Sequence, residues 1–193
     1  HVHGVLWLDL PGLEEQFPGI KNIFQNIKLN KNFNEEETSV LEKFIDTFIS
    51  CSLNTAQVSQ IAKEVQIHHH TKTCRKYGSK CRFNFPRFPS IKTIIAQPLS
   101  MDDFSTEKEF EAELCNFEKV LENVKYVLDN MDDLFGKDKL FTDHLLDEIT
   151  LGDILEHAKV KEDLYYKALS VSRSGKVIVL KRNVNEIWVK NYN

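Results

Sequence analysis

The chain has 193 residues, 41% hydrophobic and 28% charged, with a formal net charge of −4 and four cysteines. That length supports one domain, or one domain with a small module, and a core stable without disulfides. No run of roughly 18 apolar residues is present, which excludes a membrane-spanning helix, and no basic-then-apolar leader argues for secretion. The cysteines (Cys51, Cys74, Cys81, Cys115) therefore read as reduced thiols or metal ligands.

His1 to Leu10 alternates as a strand does, with His1, His3, Val5, Trp7 and Asp9 on one face. Pro11 and Gly12 are expected to end it. Pro18-Gly19 and the polar run NKNFNEEE predict an insertion or mobile loop. Thr38 or Ser39 is expected to cap a helix carrying Val40, Leu41, Phe44, Ile45 and Phe48. Asn54 or Thr55 is expected to start a second, with Val58, Ile61, Ala62 and Val65.

Residues 66–100 read as an irregular loop holding Pro86, Pro89 and Pro98. Charge concentrates there. Between Val65 and Met101 stand seven basic residues (Lys72, Arg75, Lys76, Lys80, Arg82, Arg87, Lys92) and no Asp or Glu. The segment is thus +7 and the remainder −11, given the whole-chain −4. Such a patch suits a local anionic partner such as a nucleic-acid backbone.

The clearest helix follows. Phe110, Leu114, Phe117, Leu121, Val124 and Leu128 form an apolar stripe behind the capping residues Ser105 and Thr106. Thr150 through Asp153 fits a capping box leading to Ile154 and Leu155, and KEDLYYKAL after Val160 predicts a short helix. GKVIVLKR and NEIWVKN predict a C-terminal hairpin around Asn183 and Asn185. The expected class is α+β: an antiparallel sheet from terminal strands, helices between, and an irregular zinc-binding loop. Three segments are expected within one domain: the first strand and insertion (1–50), the Cys/His-bearing basic loop (51–100), and the helical segment with the hairpin (101–193).

Three constellations bear chemistry. On a strand, His1 and His3 point the same way, so both imidazoles reach one ion, although an incidental surface pair has the same spacing. A metal-dependent barrel also begins with such a pair but needs about 250 residues. Next, Cys51, His70, Cys74 and Cys81 form a C-x18-H-x3-C-x6-C set, the four ligands a structural zinc takes, and His68 substitutes for His70 equally well. Zinc would contribute roughly 10 kcal/mol to folding the loop. The alternative is a buried Cys51 beside unrelated surface histidines.

Finally, Lys72, Arg75, Lys76, Lys80, Arg82 and Arg87 are placed to neutralise phosphates. Tyr77, Phe83, Phe85 and Phe88 offer faces for unpaired bases, unless Phe83 and Phe85 pack around the zinc instead. No Gly-rich phosphate loop or nucleophile elbow supports an ATPase or serine hydrolase here. Cys115 reads as a packed or exposed thiol, and His144 and His157 as ordinary polar residues.

In this order the sequence resembles the replication-initiator (Rep) region of the Rep-helicase proteins of Helitron transposons. HVHGVLWLD resembles that family's histidine-hydrophobe-histidine (HUH) strand, HHHTKTCRKYGSKCRFNFPRFP its Cys/His block, and LKRNVNEIWVKNYN the segment leading toward its catalytic tyrosine region. The resemblance implies single-stranded DNA nicking and joining, in rolling-circle fashion. Two histidines and a third polar ligand hold Mg²⁺ or Mn²⁺, and a tyrosine attacks the phosphate to leave a 5′-phosphotyrosyl link. His1 and His3 become ligands of the catalytic ion, and Cys51, His70, Cys74 and Cys81 the zinc set.

The third ligand is expected before His1 and the tyrosine after Asn193, so the chain alone is expected to bind metal and DNA without nicking. A helicase domain is expected in the same parent chain, with action inside the cell, in the nucleus when on DNA. Tyr165-Tyr166-Lys167 precedes the last block and is read as helix packing. A second reading is a non-catalytic zinc-stabilised nucleic-acid-binding module from a decayed transposon, and a third is an interaction domain without metal.

Overall fold

The structure, a computed structural model, describes residues 9–49, 72–73, 81, 86–135 and 149–180. Among these lie seven helices, one 3-10 turn and a two-stranded antiparallel sheet, so the chain is α+β. The described residues divide into two units.

The first unit comprises 9–49 with Thr93–Ser100 and Ser170–Leu180. It begins with α1 (Leu10–Gln16), which corrects the expectation of a strand reaching Leu10 and stopping at Pro11. Proline at a helix start gives up only an N–H that has no intrahelical partner, and its fixed φ already suits the helix. The expected mobile insertion is also corrected. Helix α2 (Ile20–Lys28) follows α1 directly, with Gly19 between them at φ 87°. The Glu14 carboxylate ties the two helices by accepting from Gly19 N at 2.8 Å and Lys21 N at 3.0 Å. Those backbone donors hold its pKa below the ordinary glutamate value.

Helix α3 (Glu35–Phe48) is capped by Asn34, four residues before Thr38, the earlier of the two expected caps. Asn34 Oδ1 accepts from Glu37 N at 2.8 Å while Glu37 Oε2 accepts from Asn34 N at 3.0 Å, a reciprocal capping box. Glu35, Glu36 and Glu37 place negative charge in the first turn, where the helix dipole favours it. Thr38 instead donates its hydroxyl to the Asn34 carbonyl. The polar run read as a loop is therefore a helix start. Leu13, Phe17, Ile20, Ile23, Phe33, Leu41, Phe44, Ile45 and Ile95 close a core, with the Phe17 and Phe44 rings edge-to-face at 5.5 Å.

Strand β1 (Ile94–Ala96) lies inside the stretch expected to be irregular. It pairs antiparallel with β2 (Ile178–Leu180) in the register Ile94 to Leu180, Ile95 to Val179 and Ala96 to Ile178. All three β1 residues are buried, so the strand reads as a continuous apolar run with no alternation to announce it. Beyond the ladder, Gln97 forms an isolated parallel bridge to Val171 through Ser170 O and Ser172 N, and its side chain accepts from Phe33 N. The sheet thus joins an internal strand to a later one. The expected strand partners, His1–Leu8 and 185–191, lie outside the described residues, as does the helix expected from Asn54.

The described residues of the second unit are 72–73, 81, 86–92, 101–135 and 149–169, with its helices in the last two stretches. Its spine is α4 (Glu107–Asp129), capped by Thr106 Oγ1 accepting from Glu109 N. The buried stripe is Phe117, Val120, Val124, Val127 and Leu128, whereas Phe110, Leu114 and Leu121 are half-buried. Against it pack α6 (Leu151–Ala158) and α7 (Glu162–Leu169), and α5 (Met131–Phe135) follows it directly. The expected capping box at Thr150 is present: Asp153 accepts from Thr150 N at 2.7 Å, and Thr150 Oγ1 accepts from Asp153 N. Ile154 and Tyr165 are fully buried. No described helix is long and apolar enough to cross a membrane.

Candidate nucleic-acid interface

The basic segment is the candidate site. Of its predicted phosphate contacts, Lys72 and Arg87 are described, and both are exposed. Arg75, Lys76, Lys80 and Arg82 lie outside the described residues, as do Tyr77, Phe83 and Phe85. Phe88 is half-buried, while Pro86, Pro89 and Ser90 are buried.

Residues 86–92 have no regular secondary structure, so their backbone polar groups need partners from elsewhere. Two helices supply them. Lys125 Nζ, on α4, donates to Pro86 O at 3.0 Å and pairs with Asp129 Oδ1 at 2.6 Å. The Tyr165 hydroxyl, on α7, donates to Pro89 O at 2.6 Å. Next to it, the Tyr166 hydroxyl accepts from Ile91 N at 3.3 Å, and the Lys92 ammonium lies 4.6 Å from the centre of the Tyr166 ring. Within the segment, Ser90 Oγ donates to Lys92 O. Arg87 thus sits between two anchored carbonyls.

Sequence spacing gives no hint of these partners, which stand 39, 76 and 75 positions away from Pro86, Pro89 and Ile91. Tyr165-Tyr166 packs within its helix unit as expected, and it additionally fixes the basic segment.

Of the predicted zinc ligands only Cys81 is described, as a half-buried residue. Cys51, His68, His70 and Cys74 lie outside the described residues, and so do His1 and His3. Among the described residues no group of three or more His, Cys, Asp or Glu is placed to hold a metal ion. Cys115 is exposed on α4. His157 is exposed too, its Nδ1 2.9 Å from Asp153 O and its ring 4.5 Å from that of Phe135, a local helix arrangement rather than a site.

No protein-family model, curated protein or solved structure matches the chain.

Proposed function

We propose that the chain belongs to the Rep region of a Helitron-type Rep-helicase, an HUH-type endonuclease that nicks and joins single-stranded DNA. The observation that carries this reading is the block HHHTKTCRKYGSKCRFNFPRFP, which joins closely spaced Cys and His residues to an unbalanced positive run interleaved with aromatics. Cationic side chains neutralise phosphates and aromatic faces stack unpaired bases, the combination that single strands require. The exposed Lys72 and Arg87 support it, as does the firm anchoring of the Pro86 end of the segment.

The donor chemistry fits zinc. Cys51, His70 (or His68), Cys74 and Cys81 offer three thiolates and one imidazole, the set of a closed structural site that would hold the loop together. His1 and His3 would hold Mg²⁺ or Mn²⁺, which supplies charge neutralisation at a scissile phosphate. No tyrosine of this sequence is assigned as the nucleophile.

The test is metal binding in the presence of a single-stranded oligonucleotide. The protein should bind one zinc per chain and, by electron paramagnetic resonance titration, one Mn²⁺. The Mn²⁺ should be lost in His3→Ala and kept in Lys72→Ala. Zinc without any Mn²⁺ site would leave a non-catalytic binding module, and neither metal would remove the reading.

A further inference from the structure

We infer that Lys125, Tyr165 and Tyr166 are positioning residues for nucleic acid, clamping residues 86–92 so that the backbone carrying Arg87 is held in place. This rests on the nucleic-acid reading above and names the part of the fold that makes it geometrically possible.

A basic segment without helix or strand pays backbone and side-chain ordering when it grips a phosphate chain, and that ordering weakens binding. Here the ordering is already done at one end. Three side chains from two helices reach three successive points of the segment: Pro86 O, Pro89 O and Ile91 N. The Lys92 ammonium over the Tyr166 ring fixes a fourth.

The placement is specific. Tyr165 has no exposed surface, yet it brings a hydroxyl into the interior, where a polar group is tolerated only with a partner. That partner is the carbonyl two residues after Arg87. The Lys125 ammonium meets the carbonyl immediately before Arg87 and also donates to the Asp129 carboxylate. Arg87, an exposed residue, therefore stands on a backbone pinned on both sides. The geometry is that of a preorganised backbone, held by the two helices at the point from which the arginine would meet the ligand.

The experiment measures single-stranded oligonucleotide affinity by fluorescence anisotropy across a salt series, for the whole chain and for Tyr165→Phe, Arg87→Ala and the double variant. Tyr165→Phe removes only the clamping hydroxyl and alters no charge. It should weaken binding roughly three- to tenfold, the equivalent of one hydrogen bond. Arg87→Ala should lower the salt slope by about one in the parent protein and by much less in the Tyr165→Phe background. That non-additivity is what a purely structural tyrosine would not produce.

If the parent protein binds and Arg87→Ala weakens it equally in both backgrounds, the positioning role is wrong while the nucleic-acid reading stands. If the parent protein does not bind, both fall. Should Tyr165→Phe fail to fold, Tyr166→Phe carries the same test through Ile91 N.

Discussion

Thr150 and Asp153 show how little sequence is needed to start a helix. The Asp153 carboxylate accepts from the Thr150 backbone N–H and from its hydroxyl, and the backbone bond, foremost, pulls its pKa below the ordinary aspartate value. The sign follows: a carboxyl whose folded pKa is depressed stabilises the fold above its unfolded pKa, and that contribution disappears as pH falls through the folded value. Acid unfolding monitored by circular dichroism should therefore be less steep in Asp153→Asn than in the parent. Asn34 is the counterpart in the first unit. Asn34→Ala removes the acceptor for Glu37 N and should cost about 1 kcal/mol, a fall in Tm of roughly 2–4 °C in a thermal melt.

Elements built from such local signals were legible in the sequence. Helix α4 was, because its apolar spacing and Thr106 cap agree, and so were α6 and α7. Their packing makes a sharp prediction: Ile154 is fully buried in the second unit, and Ile154→Ala should destabilise by about 2–5 kcal/mol in denaturant unfolding. Less legible were α1, α2 and β1. Pro11 and Pro18-Gly19 signal breaks, yet proline also begins helices, and α1 and α2 are too short for periodicity to outweigh the punctuation. Helix α3 begins earlier than its apolar spacing suggests, because three consecutive glutamates look like a solvated loop until Asn34 is recognised as their cap. Strand β1 spans only Ile94–Ala96, has both faces covered, and draws its partner from residues 178–180. Part of the candidate site was equally hidden. The charge of the basic segment is plain in the sequence, whereas the clamp from Lys125 and Tyr165 is a tertiary fact with no local pattern.

For the whole molecule, the charge distribution leads to the central claim. A +7 segment within a chain of net charge −4 concentrates attraction for an anion in one place, and on the proposed reading the Cys and His residues of that segment would tie its order to zinc. On that reading Cys74→Ser should release zinc and abolish nucleic-acid binding while the described helices persist, so that the helical signal in circular dichroism changes little. The most direct measurement is single-stranded DNA affinity as a function of salt, made with zinc bound and again after removal by a chelator. The account predicts affinity that falls linearly with salt on logarithmic axes, with a slope reflecting several phosphates, and that is lost with the zinc. Affinity unchanged by chelation, or no affinity for single strands at low salt, would contradict it.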